Sequence, residues 1–180
     1  MNAPTRDLAV LARAEWPTAP DEALPTVAGF VTSNFSPLVA EVAERCLRAH
    51  YGETPARAGE RVGVVLASVR GDVTTASTLA EAVRSGSRVP PLLFFQSNPN
   101  AVVGHVTARW GLGGPVVCTS PTGDALADGL AVAALLIEEG DATQVLVVAA
   151  ELADEDTHDR AEAVLVGPPP EESLAGKEFR

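Results

Sequence analysis

The side chains able to do covalent chemistry gather in one stretch of this sequence, Cys118, Thr119, Ser120 and Thr122, just before Asp124. A thiol or hydroxyl in that stretch could act as a nucleophile if a base removed its proton, and Asp124 is the candidate general base, with Thr119, Ser120 and Thr122 as its possible partners. The enzyme reading is therefore nucleophilic catalysis through Cys118, Ser120 or Thr122, with no histidine base beside them. The other cysteine, Cys46, falls on the apolar side of a helical pattern and is read as a small core residue. Neither cysteine belongs to a CxxC or Cys/His pattern, so no disulfide framework, metal site or cofactor is expected. His158 lies among Glu151, Asp154, Glu155, Asp156 and Asp159. That run is read as a solvated acidic loop, because a divalent-ion site needs a geometry that a charge run alone does not imply.

The elements that must position these residues follow from the apolar pattern. Leu8 to Leu11 is a short aliphatic strand, and Trp16 to Pro25, rich in proline and acid, is a loop. From Ser36 to His50 the residues Leu38, Val39, Val42, Cys46 and Leu47 recur at helical spacing, with Ser36 and Pro37 at the start. Arg61 to Ser68 is a continuous apolar strand covered on both faces, and Thr75 to Ser85 is helical. A loop, FFQSNPN, leads into a helix through Val102, Val103, Val106 and Trp110 that ends at Gly111. Pro115 to Thr119 is a strand. Asp124 to Glu139 is the best helix in the chain, with Leu126, Leu130, Ala133, Ala134 and Ile137 on one face and Gly140 closing it. Gln144 to Ala150 and Ala161 to Val166 are apolar strands. The pattern predicts an α/β domain over residues 1–167, with a mainly parallel five-stranded sheet and helices on both faces, followed by a mobile Pro/Glu-rich tail over residues 168–180.

Composition limits the function classes. The 180 residues are 46% hydrophobic but only 4% aromatic, so the core is built from Val, Leu and Ala. A formal net charge of −11 disfavours binding to a phosphate backbone, and no nucleic-acid partner is expected. No apolar run reaches the roughly 18 residues of a membrane span. Met1 to Asp7 shows no apolar export segment, and a cytoplasmic location is expected.

The segment FFQSNPNAVVGHVTARWGLGGP, from Phe94 to Pro115, resembles the stretch of a β-ketoacyl synthase that leads to its nucleophile strand: a loop serine (Ser97), an Asn-x-x-x-Gly helix (Asn100, Gly104) and a Gly-Leu-x-Gly-Pro turn. Glu139-Gly140-Asp141-Ala142 matches the Gly-Asp-Ala that follows the nucleophile helix in that family, which fixes the register at both ends. In this register the nucleophilic cysteine of the family corresponds to Gly123, and Cys118 falls five residues early, inside the strand. A helix N-terminus lowers a thiol's pKa and supplies an N–H to the oxyanion, and Cys118 has neither advantage.

The resemblance implies the N-terminal half of a thiolase-like fold. The second half, which carries two catalytic histidines in the family, has no counterpart in the sequence. A catalytically silent auxiliary subunit of a fatty-acid or polyketide system is therefore expected, working as a homodimer or with a partner ketosynthase, and with an acyl carrier protein or acyl chain as further possible partners. The alternatives that the resemblance implies are acyl transfer or thioester hydrolysis through Cys118, Ser120 or Thr122, and an acyl-chain binding module.

Overall fold

The computed structural model describes residues 8–53, 61–154 and 157–169. Ten elements follow one another: β1 (Ala9–Trp16), α1 (Phe35–Tyr51), β2 (Val62–Ala67), α2 (Val73–Arg84), α3 (Pro91–Gln96), α4 (Pro99–Trp110), β3 (Val116–Thr119), α5 (Ala125–Glu138), β4 (Gln144–Glu151) and β5 (Arg160–Gly167). The strands form a single sheet in the order β1-β5-β4-β2-β3. In it β4, β2 and β3 run parallel, while β5 is antiparallel to β4 and β1 antiparallel to β5. Four of the five strands thus point the same way, as expected of a mainly parallel sheet, and β5 alone runs against them, which makes the sheet mixed with its parallel pairings on one side. The short link between β4 and β5 is the reason, since a few residues can close an antiparallel pair but not a parallel crossover.

Alternation along the strands separates two cores. Val64, Leu66, Leu146, Val148, Ala163 and Leu165 face α1 and α4, where Leu38, Val42, Cys46, Val102 and Val106 meet them. Val65, Val145, Val147, Val164 and Val166 face α5. Leu38, Leu47, Leu146 and Leu165 are fully buried, and each such side chain contributes about 1.5–3 kcal/mol by leaving water. Helices therefore cover both faces, as expected, but the second face is covered by α5 alone.

The boundaries differ from the sequence pattern in four places. β1 runs on to Trp16, because its pairing with β5 extends the ladder as far as Ala161. α1 begins at Phe35, so Ser36 lies inside the helix, and Ser33 Oγ accepts from the Phe35 N–H at 3.1 Å. α2 starts at Val73, with the Asp72 carboxylate accepting from Thr75 N–H at 3.0 Å. The first part of FFQSNPN is the short helix α3, led by Pro91, and only Ser97 and Asn98 remain as a turn. Gly111 and Gly140 end α4 and α5 with positive φ, 65° and 77°, as their positions predicted. The tail lies outside the described residues from residue 170 onward, as do Glu155 and Asp156. Among the described residues no helix is long and apolar enough to cross a membrane.

Candidate functional site

β3 and the N-terminus of α5 bring the predicted residues to one end of the sheet. Gly114 makes the approach to β3. Its N–H donates to the Val62 carbonyl at 3.0 Å, and a methyl group there would lie 2.5 Å from backbone atoms of Val62 and Gly63. From that anchor β3 runs beside β2 through Val64↔Val116 to Ala67↔Thr119. Pro121 is buried, and Thr122, Gly123 and Asp124 are exposed. Asp124 is the N-cap of α5, and its carboxylate accepts from Ala127 N–H at 2.7 Å. Gly123 therefore sits one residue before the helix cap, with open space where a side chain would project.

Strand alternation places Cys118 beside Leu66, on the α1 and α4 side of the sheet. Cys118 Sγ donates to Asn100 Oδ1 at 3.0 Å, and Ser120 Oγ donates to the Val69 carbonyl at 2.8 Å. Both line an open cleft of about 250 Å³ with Ser68, Arg70 and Phe35. Asp124 lines a different cleft, of about 470 Å³, beyond the N-terminus of α5. The fold thus gathers Cys118 and Ser120 but separates them from the carboxylate that would serve as their base. Both hydrogens are committed to carbonyl oxygens, and no histidine lines either cleft.

Electrostatics point the same way. Partial desolvation raises the Cys118 thiol above its usual value although its surface is exposed, whereas a nucleophilic thiol needs its pKa lowered. Cys46 is fully buried, and burial pushes its thiol up to about 11. In a thiol titration with an aromatic disulfide reagent at pH 8, one equivalent is expected to react in the native protein, Cys118, and a second only after denaturation. Prompt reaction of two would contradict the burial of Cys46.

The larger cleft was not evident in the sequence. Glu15 on β1, Glu162 on β5 and Glu151 on β4 share the α5-facing side of the sheet, in register as Glu15↔Glu162 and Glu151↔Arg160. Two carboxylates directly opposite one another repel, and Arg13 relieves them through an ion pair to Glu162. The signal was present as a charge at a period-2 position: Glu162 continues the face of Val164 and Val166. On the acidic loop, Asp159 accepts from Ala153 N–H at 2.7 Å and from Asn34 Nδ2 at 3.0 Å, and His158 is exposed.

A half-domain with five strands in this order, helices on both faces and an apolar helix starting just after an edge strand defines the thiolase-like class of α/β proteins. The chain belongs to the family of the β-ketoacyl synthase N-terminal domain, whose model matches residues 15–168. Its fold resembles a ketosynthase (ApeO) in complex with its chain length factor (ApeC) from Xenorhabdus doucetiae, at 19% identity and a TM-score of 0.72, over 90% of this chain and 79% of that one. It also resembles a β-ketoacyl synthase from Burkholderia phymatum, at 16% identity and a TM-score of 0.69, over 91% of this chain and 59% of that one. The ishigamide ketosynthase/chain length factor matches at 18% identity with a TM-score of 0.63, over 88% of this chain and 50% of that one. This chain thus spans between half and four-fifths of these structures. No curated protein is significantly similar to it in sequence.

Proposed function

We propose that the chain is a catalytically silent, ketosynthase-like auxiliary subunit of a fatty-acid or polyketide biosynthesis system, acting through association with a partner ketosynthase or with itself. The observation that carries this reading is the turn between β3 and α5. Gly123 occupies the place where the family register puts the nucleophile, and the nearby thiol and hydroxyl face carbonyl acceptors in another cleft. Association is supported by β3, which ends the sheet and leaves one side of its backbone unpaired among the described residues. Two of the structural relatives are themselves described as a ketosynthase with a chain length factor.

Direct docking of an acidic carrier protein finds less support. Among the described residues, Arg13, Arg45, Arg48, Arg70, Arg84 and Arg109 are each ion-paired to a carboxylate of this chain, which reduces the basic surface they offer to an acidic partner.

The test is intact-protein mass after incubation with short and long acyl thioesters, on the native chain and on Cys118→Ala and Ser120→Ala. No adduct is expected. A stoichiometric adduct that one substitution abolishes would overturn the reading in favour of an acyltransferase and identify the nucleophile.

A further inference from the structure

The two layers that cover the sheet treat solvent differently. The outer side of α1 carries Glu41, Glu44, Arg45 and Arg48, all engaged in ion pairs. α5 has no basic residue, and among the described residues no ion pair involves it. It lies on the sheet through its smallest positions, Gly129 and Ala133, which are buried. The opposite stripe, Asp124, Ala127, Asp128, Ala131, Leu135 and Glu138, is exposed along its whole length, with Leu135 58% accessible. The stripe is therefore apolar in the middle and acidic at both ends, about 21 Å apart at 1.5 Å per residue.

Its surroundings sharpen that pattern. Beyond the N-terminal end lie Glu15, Glu151 and Glu162, with Arg160 in the same cleft, Arg13 paired to Glu162 and Arg70 paired to Glu151 at 3.9 Å. At the C-terminal end stand Glu139 and Asp141, with Arg61, whose guanidinium donates to the Gly140 carbonyl at 2.6 Å. Carboxylates at a helix C-terminus oppose the helix dipole, so Glu138 and Glu139 work against α5 unless a cation faces them.

We propose that the exposed face of α5 docks a different protein chain, one presenting an apolar strip flanked at both ends by Lys or Arg. This deepens the auxiliary-subunit reading, on which it rests, by naming the chemistry of the partner. A second copy does not fit. Whether two α5 helices paired parallel or antiparallel, Asp124 and Asp128 or Glu138 and Glu139 of one would face acids of the other, and such like-charge contacts select against a partner. Opposite charge at both ends also fixes the direction of approach and speeds encounter.

The probe is a synthetic 18-residue amphipathic helix with an Ala/Leu centre and arginines at both ends, titrated with the full chain by fluorescence anisotropy. Micromolar binding is expected, falling at least tenfold in Leu135→Glu, at least fivefold in the doubly substituted Asp128→Asn/Glu138→Gln, and further in raised salt. The same peptide with glutamates at its ends should not bind. These positions are exposed, and circular dichroism checks that each variant stays folded. Absence of binding to the native chain, or binding that both variants retain, overturns the proposal. So does a homodimer in sedimentation that Leu135→Glu dissolves, since the occupant would then be a second copy. An acyl adduct in the thioester experiment would instead remove the auxiliary-subunit reading and leave the peptide result standing, so the two failures are distinguishable.

Discussion

Gly114→Ala is expected to destabilise the chain by about 3 kcal/mol or more, the largest effect of any single methyl group added to this site. The added carbon would lie 2.5 Å from the Val62 carbonyl carbon and the Gly63 nitrogen, and backbone atoms cannot rotate aside as a side chain can. Relief would require β3 to move away from β2, which would break the 3.0 Å hydrogen bond from Gly114 N–H to the Val62 carbonyl and the 2.8 Å bond from Val64 N–H to the Pro115 carbonyl. Urea unfolding gives the readout, as a lower midpoint at unchanged slope. A midpoint equal to that of the native protein would show that the close approach is not there.

Gly129→Leu ranks second, at about 3 kcal/mol. Two effects compete when glycine is replaced inside a helix. A residue of higher helix propensity gains up to about 1 kcal/mol, but a Cβ at position 129 would sit 2.6 Å from Val147 Cγ1, and Val147 is a stiff, fully buried side chain in the middle of β4. Overpacking of that kind commonly exceeds the propensity gain, and leucine adds three more carbons to the clash. Removing the obstacle should separate the two contributions. The double variant Gly129→Leu/Val147→Ala is expected to recover part of the loss, with a coupling of about 1 kcal/mol or more in a thermodynamic cycle. Strictly additive losses would place α5 further from β4 than the structure does.

Much of this architecture was legible in the residues. The run from Arg61 to Ser68 and the run from Gln144 to Ala150 are apolar at nearly every position, which only a strand covered on both faces requires, and both became central strands. Gly111 and Gly140 marked helix ends because a left-handed residue there is most easily a glycine. Strand direction was not legible, since β5 has the same apolar pattern whether it runs with or against β4, and only its short connection decides. The helix α3 was also hidden, because Pro91 and the aromatic pair Phe94 and Phe95 score poorly as helix formers even though proline suits a first turn.

For the site, the pattern correctly set Cys118 inside a strand and Asp124 at the start of a helix. It could not show that the two line separate clefts, because that depends on which face of β3 each residue follows. Nor did it reveal that Asn100 reaches Cys118, a contact between residues 18 positions apart. The acidic cleft went unnoticed for a related reason. Glu15, Glu151 and Glu162 belong to three strands, and their meeting is a property of register.

The free side of β3 carries a last consequence, for the fate of the protein when it is made in excess. Alternation along a parallel pair turns the N–H and C=O of Val116, Cys118 and Ser120 away from β2, and an open strand edge of that kind is ordinarily a template for aggregation. Here the strand is only four residues long, with Pro115 before it and Pro121 shortly after it. On either side of it the Gly114 N–H is taken up by the Val62 carbonyl and Pro121 is buried, so an incoming strand finds a few backbone partners in one register and no continuation beyond them. Such an edge is a poor seed for a fibril, and the chain is expected to stay unpolymerised when made in excess.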